Sequence, residues 1–175
     1  MSDWRPKAIG KADKLNTSTK APKRVKADVR GQIMPQLQKL ISVKKPAANT
    51  AWTITIPSGL IWDVDSVFCT YEASADVGNR FVNLILSDIE SVTIQQLPLA
   101  LTITANQLAR LTWGKGLETN SYNDGSNNTF QTMPMTPLIM SPNGVAKITS
   151  QVQGGFANDQ FASIVLMVKE TVPST

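Results

Sequence analysis

Trp52, Ile54 and Ile56 alternate with Thr53 and Thr55, the period of two that sends successive side chains to opposite faces of a strand. Pro57-Ser58-Gly59 then turns the chain. Further strand-like runs cover 60–71, 79–87, 91–95, 99–104, 108–113, 135–140, 145–153 and 161–170. Turn formers separate them, among them Ala75-Asp76-Val77-Gly78, Gly114-Lys115-Gly116, Asn123-Asp124-Gly125-Ser126 and Ser141-Pro142-Asn143-Gly144. Short strands at this spacing predict an all-β fold, a jelly-roll-like antiparallel β-sandwich over residues 46–175.

Residues 1–45 read differently. The first 30 mix Lys, Ala, Ser, Thr and Pro with neither helical nor strand periodicity, and cannot bury enough apolar surface to fold alone. They predict an extended N-terminal arm. Near its end, Ile33, Leu37, Leu40 and Ile41 fall at helix-like spacing, with Pro35 in the first turn, and predict one short amphipathic helix over 33–42.

Charge sharpens this division. Residues 1–45 hold 12 Lys+Arg against 3 Asp, a net of +9, while residues 46–175 hold 5 Lys+Arg against 10 acids, a net of −5. The basic character therefore belongs to the arm. The arm has no apolar run of the roughly 7–15 residues that a signal peptide needs, and the chain has no stretch of about 18 apolar residues, so neither export nor a membrane span is expected.

Composition also limits chemistry. There is no histidine and a single cysteine, Cys69, which excludes a His-based triad, a Cys/His zinc site and an intrachain disulfide. Charged residues at 17% suit a subunit that covers much of its surface with partners. Asp63 and Asp65, at i and i+2 of one strand, share a face as an acid/base pair or a calcium site requires, but no third carboxylate joins them, and a solvated strand face is the preferred reading. Asp88 and Glu90 read the same way. The segment 123–128 lacks the alternating acids and closing glutamate of a calcium loop. Cys69 lies in an apolar run without a basic neighbour, as a small buried hydrophobe does. Trp52, Trp62 and Trp113 fall in strand patterns, whereas Trp4 stands alone in the arm, an anchor suited to a partner's pocket. No catalytic residue, metal or cofactor is assigned.

A string of short motifs carries a resemblance. Pro57-Ser58-Gly59 precedes Trp62, Val77-Gly78-Asn79-Arg80 leads into Phe81, and Thr104-Ala105-Asn106-Gln107 precedes Leu111-Thr112-Trp113-Gly114-Lys115-Gly116. Met133-Pro134 and Asn158-Asp159-Gln160 follow, the latter before a final apolar strand. In this order they resemble the small jelly-roll structural proteins of tailed bacteriophage virions, over about two thirds of the chain. The sequence departs from them in closing on Val168-Lys169-Glu170 and in its long basic arm.

The resemblance implies a non-enzymatic virion component, with a capsid decoration or cement protein as the preferred place. Its partner would be the major capsid protein or another virion protein, and the chain would form homo-oligomers. The docking residues expected in the arm are Trp4, Arg5, Lys7, Ile9, Lys11, Lys14, Leu15, Lys20, Lys23, Arg24, Lys26 and Arg30, with Arg80 and Arg110 as contacts on the body. Two other places stay open: a neck or tail component such as a collar or fibre adaptor, and a coat protein whose arm neutralises packaged nucleic acid. A carbohydrate hydrolase would rest on Asp63 and Asp65 alone.

Overall fold

The computed structural model describes residues 37–99 and 102–173. Eleven strands account for its regular structure: β1 (Leu37–Ser42), β2 (Thr53–Thr55), β3 (Ile61–Glu72), β4 (Phe81–Ser87), β5 (Thr93–Pro98), β6 (Leu108–Gly114), β7 (Asn120–Asn123), β8 (Asn128–Pro134), β9 (Leu138–Met140), β10 (Lys147–Gln153) and β11 (Gln160–Thr171). They form a seven-stranded sheet, in the order β1-β11-β3-β6-β8-β7 with β9 also on β3, and a four-stranded sheet in the order β2-β10-β4-β5. The fold is all-β. Among the described residues there is no helix, and so none long and apolar enough to cross a membrane.

One core lies between the sheets. Val67, Cys69, Leu111, Trp113, Ile164 and Leu166 enter it from the larger sheet, and Val82, Leu84, Leu86 and Ile148 from the smaller, all buried. Alternation dictates which residues these are, but a bulge resets its phase in β3. Trp62 and Val64 point inward, then Val67, Cys69 and Tyr71 do. The register with β11 slips by one residue at the same place, between Met167 and Val168, leaving Asp65 unpaired. Without that extra residue one half of the strand would turn its apolar side to water.

Several expectations are corrected. In the segment expected to be a helix over 33–42, the described part is a strand: β1 pairs with β11 from Leu37↔Glu170 to Ser42↔Val165. The open edge of β11 supplies a ladder for six residues, and Ile41 turns toward the core while Leu40 stays 69% exposed. Local helical spacing yields to a tertiary edge that needs covering. β1 thus attaches part of the segment expected as arm to the sheet of the body.

The sandwich is also not wholly antiparallel, because β6 and β8 run parallel. The chain leaves β6, runs back along β7 and returns as β8, which inserts between the two. Neither β7 nor β8 was expected as a strand. Their inward residues include Thr129 and Gln131, which are buried but polar, so no apolar alternation marks them. The run expected over 99–104 contributes, among described residues, only an isolated bridge from Ile103 to Arg80.

Candidate functional site

Arg80, expected as a surface contact, is fully buried. It lies just before β4 and its guanidinium meets the carboxylate of Asp159, just before β11, with Nε 3.0 Å from Oδ2. It also donates to the carbonyls of Gly78 (2.8 Å) and Asp76 (2.8 Å) and stacks over the Phe156 ring at 4.4 Å. Asp159 accepts in addition from the Tyr71 hydroxyl (2.8 Å) and the backbone N–H groups of Ser74 (2.7 Å) and Phe156 (2.8 Å). Burial by itself raises the Asp159 carboxyl, but the bonds from Arg80, Ser74 and Phe156 outweigh it and hold the group well below the usual carboxylate range. Tyr71 moves the other way, pushed up by burial and then by its bond to Asp159. Each nitrogen of the guanidinium is engaged inside the protein. It joins the β3–β4 and β10–β11 loops.

Arg110, the other body candidate, does face outward. It lies on β6 beside Phe130 of β8, with its guanidinium 4.9 Å from the ring centre, and Tyr122 of β7 lies 6.2 Å beyond Phe130. The register Thr70↔Arg110↔Phe130↔Tyr122 shows these side chains as one row across the larger sheet. On the same outer face stand Val165 and Phe68, which pair with each other, and Leu40 beside Met167. Leu40, Tyr122 and Phe130 are exposed, as is Ile139 of β9 opposite Asp63. No single strand reveals this face. Register alone assembles it.

The carboxylates that invited a catalytic reading are engaged with cations. Lys115 reaches both Asp63 and Asp65, and Lys169 lies 3.4 Å from Asp65. They sit where β6 leaves β3 and β9 takes its place, and the Lys115 N–H closes the junction by donating to the Asp65 carbonyl. Asp88 caps a turn through the Val92 N–H. Asp124 folds its own loop, accepting from the N–H groups of Ser126 and Asn128. Those bonds, the one from Ser126 first, lower its pKa. Cys69 is buried and its thiol is pushed up by that burial. Trp52, Trp62 and Trp113 are all in the core. The arm residues from Trp4 to Arg30 lie outside the described residues.

A second feature occupies the opposite surface. The outer side of β2 and β10 floors an open groove of about 790 Å³. Its side chains include Thr53, Thr55, Thr149 and Gln151, with the Thr53 and Thr149 hydroxyls 3.0 Å apart. Lys147 is the cation in its lining. Its ammonium donates to the Ile89 carbonyl and to Ser91 Oγ, and among the described residues it has no carboxylate partner. Thr53 and Thr55 were legible as the polar side of the first strand. The groove needed the pairing of β2 with β10.

No protein-family model matches the chain, and no curated protein matches it. Among solved structures it is similar to that of the infectious bursal disease virus Gx strain, at 9% identity and a TM-score of 0.34, covering 82% of this chain and 36% of that one. A mutant VP2 protein of the same virus in derived T=1 particles gives 10% identity and a TM-score of 0.32, covering 75% of this chain and 31% of that one. The chain thus spans about a third of the length of these viral proteins.

Proposed function

We propose that the protein is a non-enzymatic structural component of a tailed-phage virion, a capsid decoration or cement protein. In this reading its jelly-roll-like body rests on the shell, copies associate with one another, and the basic segment preceding β1 staples neighbouring subunits of the major capsid protein. The observation that supports it best is the outer face of the larger sheet, where Leu40, Phe130, Tyr122 and Ile139 are exposed around half-buried Phe68, Val165 and Met167. Apolar side chains gathered on one face, among Arg110 and the charged pairs of Lys115 and Lys169, have the composition of a protein interface. A folded body contributes contact area, a tethered segment a second attachment, and repeated copies add avidity without a single strong contact.

Copy number per purified particle tests the reading. A decoration protein is present in tens to hundreds of copies, whereas about a dozen or fewer, as closed ring symmetry gives, would assign it to the neck or tail instead. Particle binding that collapses as salt rises would favour the packaged nucleic acid as the arm's partner. Replacing Tyr122 and Leu40 together by Ser should lower occupancy of the shell without unfolding the body, since both side chains are exposed.

A further inference from the structure

The groove over β2 and β10 lies on the sheet opposite the apolar face, and its chemistry differs from that face. Along β10 the outward residues are Lys147, Thr149 and Gln151, and across the register Thr55 stands beside Lys147 and Thr53 beside Thr149. Two residues of strand span roughly 7 Å, so hydroxyl and amide groups repeat along the floor at about that interval. Hydroxyls both donate and accept, as do amides through separate atoms, which suits a ligand that itself offers many hydroxyl groups. Ile85 and Ala51 add apolar surface to the lining, against which the C–H faces of such a ligand can rest. The volume of about 790 Å³ lies within the range of small-ligand sites.

The one acid in the lining, Asp159, is already paired with Arg80, so Lys147 decides the charge of the occupant. An ammonium has three N–H donors, and two acceptors, the Ile89 carbonyl and Ser91 Oγ, hold it toward the β4–β5 turn. One donor remains, and among the described residues no carboxylate pairs directly with the ammonium. The groove therefore presents a row of hydroxyl-matching groups that ends on a fixed cation. From this we infer that it binds a short acidic oligosaccharide, with a sugar carboxylate on Lys147 and ring hydroxyls on Thr53, Thr149 and Gln151. The inference does not depend on the virion role, which rests on the other sheet.

The probe is tetragalacturonate, titrated into the full-length protein by calorimetry and followed by amide NMR, with cellotetraose as the neutral comparison. Saturable binding of tetragalacturonate is expected, with shifts at Thr53, Thr149 and Gln151, and about tenfold weaker binding of cellotetraose. Lys147→Gln should weaken the acidic ligand about tenfold and the neutral one much less. Gln151→Ala, at an exposed position without effect on the core, should weaken both severalfold. No saturable binding would overturn the inference. So would equal affinity in wild type and both variants, with shifts confined to residues 1–36, because the basic segment would then be attracting a polyanion without the groove.

Discussion

Arg80 Nε and Asp159 Oδ2 lie 3.0 Å apart with neither side chain exposed, and the pair is held by further bonds to Tyr71 and to the loops on its two sides. Replacing Arg80 by Met leaves a buried carboxylate without its counter-charge, and should cost about 3–5 kcal/mol in urea unfolding. Asp159→Asn should cost a similar amount. If Arg80→Met instead preserved stability and reduced only partner binding, the internal role assigned to Arg80 would be wrong.

The pH dependence follows from the lowered carboxyl of Asp159. In the unfolded chain an Asp titrates near about 3.9, and in the folded protein it titrates below that. The folded state therefore binds fewer protons. Its stabilisation is complete above about pH 4 and is lost as pH falls through the folded value. Unfolding free energies measured between pH 2 and 6 should drop steeply in the wild type below about pH 4, and less steeply in Asp159→Asn. Tyr71 acts at the other limit: its raised pKa gives stability present below about pH 10 and lost as pH rises beyond it.

Cys69 should be chemically silent in the native protein. It is buried and its thiol is raised by that burial, so little thiolate exists at pH 8 and no reagent reaches it. Ellman's reagent should label one thiol per chain in denaturant and almost none without it. Rapid labelling of the folded protein would contradict the packing described.

Gly154 has φ 73°, and a Cβ built on it would stand 2.3 Å from the Asn79 carbonyl oxygen. Gly154→Ala should therefore cost about 1–3 kcal/mol for the left-handed backbone, with the clash against a main-chain atom pushing it to the upper end. Gly125, at φ 77° but with open space around its Cβ position, supplies the comparison. Gly125→Ala should lose less, and equal losses at both sites would show that the approach to Asn79 is easily relieved.

Much of the fold was legible because a strand half-buried in a sandwich writes its period into the sequence. Trp52, Ile54 and Ile56 announced the first strand of the smaller sheet, and the runs of β3, β4, β6, β10 and β11 lie within a residue or two of where alternation put them. The lack of histidine and the isolation of Cys69 restrict the chemistry by residue inventory alone. Alternation could not reveal β7 and β8, whose buried Thr129 and Gln131 are polar, nor the fate of Leu37–Ser42, which had a local helical spacing but an open edge of β11 to cover. Long-range contacts decide such segments. The same holds for function: a sequence shows that Arg80 and Arg110 are cations, but burial turns one into an internal tie, while the other lies half-buried beside Phe130 on the outer face. Tyr122, Phe130, Leu40 and Ile139 become one face, and Thr53, Thr149 and Lys147 one groove, only after strands distant in the chain are brought into register, because a surface is a property of neighbours in space.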